Sequence, residues 1–239
     1  MSSLPVRVTF FNSEIDYDYR QLFEFKTYVF YCKSIPLNIK GNYILIKTLN
    51  FPELSNESFF IQSRLVKFFP WRYIQDEDLF IYSDYRIIVR NDFFLHAIKY
   101  DFPFFLTHRE GGNLGHEIAR CVLRNRIPIS DLNNYLYTFR PNLTSDISEN
   151  GVLCLKKTNY LSFEDFKKTI SIFKRDQLIL PILIRNHYNI SNFYLSDFRF
   201  FFVRSKFPTN KNNLKKIYFD FKYYVNLLCK NVSNYLASL

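Results

Sequence analysis

The segment that most constrains the fold is residues 59–90, where a helix-forming stretch, a proline and a short apolar run follow one another. Pro70 cannot continue a helix, because it lacks the amide hydrogen and its ring clashes with the preceding turn. The apolar run at residues 79–82 is rich in aromatic and β-branched side chains and is bounded by acidic residues, which is typical of a buried strand. Asp84 therefore follows the exposed end of a predicted core strand, where α/β folds bind ligands.

The helical part of this segment places two cations on one face. Arg64 and Lys67 are three residues apart, and side chains with this spacing are neighbours on a helix. Asp84 alone is also explained as a turn residue, since aspartate is common in turns. The segment thus combines two adjacent cations with a carboxylate at a strand end.

The rest of the chain predicts alternating strands and helices, which indicates an α/β fold. Further strands are predicted at residues 6–11, 27–31, 43–46, 87–89, 102–106, 151–155 and 200–203. Further helices are predicted at residues 91–100, 115–126, 163–173 and 214–239, and Asn91 is expected to cap the first of them. A loop and short helix are predicted at 16–25, and a long connection at 130–149. No glycine-rich turn follows the first strand, which excludes a Rossmann dinucleotide fingerprint and a Walker loop.

The net charge and the spacing of the cysteines indicate which partners and which kinds of site to expect. A net charge of +10 over 239 residues favours an anionic partner, such as nucleic acid, an anionic membrane or a phosphorylated small molecule. The four cysteines are far apart, which argues against a zinc site or a disulfide framework. The sequence shows neither a signal-peptide pattern nor an apolar stretch of about 20 residues, so we expect a cytoplasmic protein.

Two more polar blocks lie downstream. Residues 107–120 hold three of the five glycines of the chain, followed by Glu117 near the start of a predicted helix. Because glycine permits left-handed backbone and close approach, this loop is expected to lie against a ligand. The third block is Arg175-Asp176-Gln177, directly before an apolar run. Taken alone, it is also explained as a solvated helix start with an aspartate cap.

In this order, the three blocks resemble a family of GT-A-like glycosyltransferases. The family was first catalogued as a domain of unknown function, and it includes plant mucilage and pectin-related transferases with bacterial and viral relatives. Its pattern is an S-R-x-x-K helix, a proline and a strand ending in Asp-Gly-Asn, then His and Arg before a helical Glu, then Arg-Asp-Gln. The matching positions here are Ser63, Arg64, Lys67, Pro70, Asp84, His108, Arg109, Glu117, Arg175, Asp176 and Gln177. The resemblance covers residues 59–185, about half of the chain.

The resemblance implies a GT-A-like, Rossmann-like mixed sheet flanked by helices. It also implies sugar transfer from a nucleotide-sugar donor to a glycan or glycoconjugate acceptor. Asp84 then holds a divalent cation, Mn²⁺ or Mg²⁺, that bridges the diphosphate. Asp176 is the first candidate for the catalytic base or acceptor-orienting carboxylate, and Glu117 is the second. Donor contacts are implied for Arg64, Lys67, Asp84, Arg86, His108, Arg109, Arg175 and Gln177.

The sequence departs from the family after the predicted core strand. The family's Asp-Gly-Asn is Asp84-Tyr85-Arg86 here. In an extended chain, residues 84 and 86 face the same way, which puts a positive charge where a second metal ligand would lie. Either Arg86 replaces the cation and transfer is metal-independent, or it turns outward and leaves Asp84 as the only metal ligand of this motif.

Residues 1–205 are expected to form the transferase domain, and residues 206–239 a basic linker and a C-terminal amphipathic helix. That helix can pack on the domain, dimerise or make peripheral contact with an anionic membrane, and packing is the usual role of such helices. Two other functions stay open. The charge and aromatic content suit a nucleic-acid-binding accessory protein, although the basic residues are spread along the chain without a nucleic-acid motif. The altered Asp84 motif suits a catalytically inactive scaffold with a transferase fold.

Overall fold

A computed structural model describes residues 4–14, 16, 21–100, 102–107, 113–123, 126–143, 148–157, 161–185, 191–194 and 201–204. The strands in these ranges are β1 (Val6–Phe11), β2 (Gln21–Tyr31), β3 (Ile39–Lys47), β4 (Leu79–Ser83), β5 (Ile87–Val89), β6 (Phe104–Thr107), β7 (Ser148–Lys156), β8 (Ser191–Tyr194) and β9 (Phe202–Arg204). The α-helices are α1 (Pro52–Ser55), α2 (Phe59–Phe68), α3 (Asn91–Ala97), α4 (Leu114–Leu123), α5 (Ile129–Phe139), α6 (Phe163–Phe173) and α7 (Asp176–Arg185).

The main sheet has seven strands in the order β3-β2-β1-β4-β7-β6-β8, and β5 pairs with β9 in a separate two-stranded sheet. β7 runs antiparallel to both of its neighbours, whereas the other pairs in the main sheet are parallel. The structure therefore confirms the predicted α/β fold, a mixed sheet flanked by helices. The predicted C-terminal helix and the linker before it lie outside the described residues.

The strand order reverses at β1, which has β2 on one side and β4 on the other. In open α/β sheets, such a reversal leaves a crevice at the carboxyl ends of the two strands, and ligands bind there. The carboxyl ends concerned are Phe11 of β1 and Ser83 of β4. Asp84 follows Ser83 directly and therefore lies at this crevice.

The two faces of the sheet are covered differently. One face packs against α2, α4, α5, α6 and α7 in the largest hydrophobic cluster, which includes Val8, Leu65, Ile118 and Phe166. The opposite face packs against α3 and the small sheet through a cluster that includes Phe93. Successive residues of a strand point to opposite faces, so the continuous burial of β1 requires both layers.

Two predicted segments differ from the structure. The predicted long connection at residues 130–149 is wrong, because α5 occupies its first half. Leu132 and Tyr135 of α5 have the three-residue spacing of an apolar helix face, and the Tyr135 hydroxyl donates to the Leu178 carbonyl at 2.7 Å. The predicted helix near residues 16–25 is also wrong for residues 21–25, which belong to β2 and alternate between buried and exposed side chains.

The predicted cap of the helix after β5 is wrong as well. Asn91 was expected to cap this helix, but Arg90 occupies the cap position and makes no side-chain capping bond. Asn91 is instead the first residue of α3. Among the helices of the described ranges, none combines the length and the apolar character that a membrane span requires.

Gly41 provides a test of the packing between β2 and β3. Its φ of 98° is unfavourable for other residues, and a Cβ built there would lie 2.1 Å from the Phe23 carbonyl oxygen. We expect Gly41→Ala to lower the free energy of unfolding by at least about 2 kcal/mol, because strain and a backbone clash add up. Urea unfolding measures this change, with Asn42→Ala at the exposed neighbouring position as the control. Equal urea midpoints for the two variants would contradict the close packing of Gly41 against Phe23.

Candidate functional site

Asp84 lies directly after β4 at the crevice left by the strand reversal. Its amide donates to the Gly151 carbonyl at 2.8 Å, and its carbonyl accepts from the Ile87 amide at 2.8 Å. The second bond closes a four-residue turn. The expectation that residues 84 and 86 share a face of an extended chain is therefore wrong, because the chain turns as soon as it leaves the sheet.

Arg86 is engaged by a carboxylate from the loop after β1. Its Nε donates to Asp16 Oδ1 at 3.0 Å, and the Asn12 amide donates to the other oxygen of Asp16 at 2.9 Å. Burial raises the pKa of Asp16, the charge of Asp84 adds to the rise, and the two hydrogen bonds offset only part of it. Asp16, Asp84 and Arg86 are thus electrostatically coupled across the crevice. Sequence analysis missed Asp16, since nothing local distinguishes it from an ordinary loop aspartate.

Two helices from distant parts of the chain meet beside β4. Lys67, in the last turn of α2, donates from Nζ to Asp176 Oδ2 at 3.0 Å, although the two residues are 109 positions apart. Arg64 Nε lies 3.4 Å from the same oxygen. The side chains of Lys67 and Asp176 are only 3% and 4% exposed, whereas that of Arg64 is 23% exposed. The pair Lys67–Asp176 is therefore a buried ion pair with Arg64 at its outer side.

Local sequence features position these two helices. Ser58 caps α2 by accepting a hydrogen bond from the Ile61 amide, which fixes where the helix begins. Ser162 caps α6, the helix that precedes α7, by accepting a hydrogen bond from the Asp165 amide. Lys174 ends α6 in a left-handed conformation with φ of 50°, and the chain then starts α7 at Asp176. Because the connection between α6 and α7 is this short, Asp176 of the third sequence block is buried where α7 begins.

The charges around Asp176 decide its protonation. Burial by itself would raise the pKa of Asp176, but the charges of Lys67 and Arg64 outweigh burial and hold that pKa well below its usual range. Asp176 is thus a carboxylate at any pH near neutrality. A general base works best with a pKa near the working pH, so a permanently ionised, hydrogen-bonded Asp176 is better suited to orienting other groups.

The depressed pKa of Asp176 predicts an acid-sensitive contribution to stability. The ion pair stabilises the fold fully above about pH 4, near the pKa of an unfolded aspartate. Below that pH the unfolded state binds more protons than the folded state, so stability falls by up to about 1.4 kcal/mol per pH unit from this group. We expect Asp176→Asn to be less stable than the wild type at pH 7 but to lose less stability between pH 4 and pH 3. Urea unfolding at both pH values tests this, and parallel losses in the two proteins would disprove it.

Glu117 of α4 lies at the centre of a second charged group. Its side chain is fully buried; one oxygen accepts from Arg175, and the other accepts from Arg120 at 2.9 Å. Cys121 Sγ lies 3.8 Å from the oxygen that Arg175 contacts, and Arg175 also donates to Gln177. Glu117 therefore holds Arg175 in place, and both of its oxygens are occupied by cations.

Tyr82 connects the two sides of the site. Its hydroxyl donates to Asp84 Oδ1 at 3.3 Å, and Lys67 Nζ lies 5.3 Å from the centre of its ring. Burial raises the pKa of Tyr82 well above its usual value, and the charges of Asp84, Arg64 and Asp176 all act on it. Sequence analysis assigned Tyr82 to the core strand alone. Its position two residues before Asp84 was the available signal, because alternate strand residues share a face.

The structure thus gathers seven of the predicted site residues from α2, the end of β4, α4 and the start of α7: Arg64, Lys67, Asp84, Glu117, Arg175, Asp176 and Gln177. Arg86 lies in the turn after Asp84 and pairs with Asp16. His108 and Arg109 lie outside the described residues. Within the part of the chain that is described, no three His, Cys, Asp or Glu side chains form a group that could hold a metal ion.

No protein-family model matches the chain, and no curated protein matches it in sequence. Among solved structures, the crystal structure of the galactosyltransferase LgtC in complex with donor and acceptor sugar analogs is similar, with a TM-score of 0.44 and 14% sequence identity. The match covers 85% of this chain and 80% of that chain. A similarity at this level concerns overall fold only and assigns neither a family nor an activity to the chain.

Proposed function

We propose that the protein transfers a sugar from a nucleotide-sugar donor to a glycan or glycoconjugate acceptor. One observation carries the proposal. The three sequence blocks that resemble the transferase family, although far apart in the chain, contribute to one charged site. Arg64 of the first block lies beside Asp176 of the third, and Arg175, the neighbour of Asp176, binds Glu117 of the second. That site lies at the carboxyl end of β4, beside the strand reversal where open α/β sheets bind ligands.

The charge of the site suits a diphosphate. Lys67, Arg64, Arg175 and Arg120 supply four positive charges, and the described carboxylates of the site, Asp176, Glu117 and Asp84, supply three negative ones. The excess of positive charge favours an anionic ligand, and phosphate oxygens accept strong hydrogen bonds from guanidinium groups.

The four cations have different roles in this proposal. Lys67 is buried and bonded to Asp176, so it maintains the site. Arg64 is partly exposed, and its buried Nε makes no hydrogen bond within the described residues. Its guanidinium also lies 4.7 Å from the centre of the Phe60 ring, which fixes its direction. We therefore assign the main contact with the donor phosphates to Arg64.

Asp84 is the residue that would hold a divalent cation. Its carboxylate is at the exposed end of β4, and Mg²⁺ commonly binds to one or two carboxylates together with substrate phosphates. Such a cation would stabilise the charge that develops on the leaving diphosphate. Arg86 is bound to Asp16 through Nε, so part of its charge is already compensated at the crevice.

The two catalytic candidates from the sequence receive separate roles. Asp176 is ionised and bonded to Lys67, so we assign it to orienting that cation and the acceptor rather than to proton abstraction. Glu117 is fully buried between two arginines, so we assign it to positioning Arg175. In this arrangement, the proton of the acceptor hydroxyl is removed by a group other than Glu117.

Nucleotide binding tests the proposal directly. The purified protein is titrated by calorimetry with UDP, GDP, CDP and dTDP, each with and without Mn²⁺, alongside Asp84→Ala. We expect micromolar binding of one nucleotide, weaker binding by the variant, and loss of the Mn²⁺ effect in the variant if Asp84 holds the cation. Binding of none of the four nucleotides would reject the proposal and favour an inactive scaffold.

A further inference from the structure

A cavity of about 930 Å³ lies between the beginnings of β2 and β3, strand β5 and the start of α3. Its volume is within the range of roughly 300–1,000 Å³ that is usual for small-molecule sites. None of the described residues that line it belongs to the donor site proposed above. The cavity is therefore a second concave surface whose ligand the proposed transfer reaction does not account for.

The apolar part of the cavity wall is aliphatic. It is formed by five of the twelve described lining residues, Leu22, Leu37, Ile39, Ile88 and Val89, and the other seven are polar or charged. The twelve described residues that line the cavity include no aromatic side chain, although 20% of the residues in the whole chain are aromatic. Nucleobases and other flat rings bind preferentially against aromatic faces, so an aliphatic lining favours a flexible hydrocarbon chain instead.

The apolar surface continues at the mouth of the cavity. Leu37 is 89% exposed and Leu22 is 59% exposed, and Ile35, two residues before Leu37, is also exposed. Large apolar side chains that are exposed together mark interaction sites more often than single ones do. A ligand that enters between Leu22 and Leu37 would remove both from water.

The polar groups of the cavity carry no net charge. Glu24 is balanced by Lys40, and Arg90 pairs with Asp92 at 2.9 Å. Gln21 is buried, and its Nε2 donates to the Tyr85 carbonyl at 2.6 Å, which fixes the orientation of the amide. The other amide atom, Oε1, has no hydrogen-bond donor among the described residues. The lining therefore suits a ligand with an uncharged or zwitterionic head that can donate a hydrogen bond.

We propose that this cavity binds the aliphatic chain of a lipid whose head group is zwitterionic or uncharged and carries a hydroxyl or amide donor. Leu22 and Leu37 cover the chain at the mouth, and the remaining aliphatic residues line the interior. The proposal is independent of sugar transfer, because the affinity for a lipid is measured without any nucleotide present.

A series of lysophosphatidylcholines tests the proposal. Chains of 10, 12 and 14 carbons, each below its micelle concentration, are titrated into the full-length protein by calorimetry. Affinity should rise about fourfold for each methylene group that enters the cavity, as expected for hydrocarbon leaving water. Equal affinities for the three chain lengths, or no binding of any of them, would overturn the proposal.

Variants at the mouth localise the binding. Leu22→Gln and Leu37→Gln should each weaken binding of the 14-carbon lipid about tenfold, because each removes an apolar contact of a side chain. Both side chains are largely exposed without ligand, so neither change should disturb folding. Ile172→Gln is the matched control, since Ile172 is 47% exposed on α6. Unchanged affinity in both mouth variants, or an equal loss in the control, would place the lipid elsewhere and reject this site.

Discussion

Arg64→Ala is expected to weaken binding of the nucleoside diphosphate about 30- to 150-fold. The variant loses charge-assisted hydrogen bonds worth about 2–3 kcal/mol, and each 1.4 kcal/mol corresponds to a factor of ten in the dissociation constant. Folding should be largely preserved, because Lys67 still donates to Asp176 at 3.0 Å. Titration calorimetry with the nucleotide that binds the wild type measures the effect.

Two further variants separate a specific contact from a general loss of charge. Arg64→Lys keeps the charge but not the planar guanidinium, so it should recover only part of the affinity. Arg72→Ala is the control, because Arg72 is exposed and pairs with Glu53 at 2.8 Å. Full affinity in a folded Arg64→Ala protein would remove Arg64 from the donor site. An equal loss in Arg72→Ala would show that only net charge matters.

Lys67→Met is expected to lower the free energy of unfolding by about 3–5 kcal/mol. Removing one partner of a buried ion pair leaves the other charge without adequate compensation in the core. Arg64 does not replace the lost bond, since its Nε lies 3.4 Å from Asp176 Oδ2 without hydrogen-bond geometry. Because domains of this size are stable by only about 5–15 kcal/mol, urea unfolding should show a large shift of the midpoint.

The double variant Lys67→Met/Asp176→Leu should be more stable than Lys67→Met. Apolar side chains of similar volume often replace a buried ion pair without loss of stability. The four proteins of this cycle also give the coupling energy between the two residues. A double variant that is less stable than either single variant would show that Asp176 stabilises the fold through groups other than Lys67.

Much of the architecture was predictable because its causes are local. Pro70 follows the end of α2, Ser162 caps α6, and the apolar run of β4 is a core strand. The prediction failed where local signals were ambiguous. In α5, the polar residues around Leu132 and Tyr135 suggested a connection, but burial of these two side chains against the core favours the helix.

The site could be predicted only as a set of residue types. The sequence indicated Arg64, Lys67 and Asp176 as candidates, but it did not indicate that both cations lie beside the same oxygen of Asp176. The role of a carboxylate depends on its pKa and its hydrogen bonds, and both are set by neighbours that are distant in sequence. For the same reason, the ion pair of Asp16 with Arg86 could not be anticipated.

By itself, the sequence determined the α/β class, the positions of most strands and helices, and the spacing of Arg64 and Lys67 on one face of α2. These follow from side-chain periodicity, caps and prolines, which act within a few residues. The tertiary structure alone decided that Lys67 meets Asp176 across 109 positions and that both oxygens of Glu117 are occupied. Such contacts depend on how the helices pack on the sheet, because charges buried together interact through space rather than along the chain.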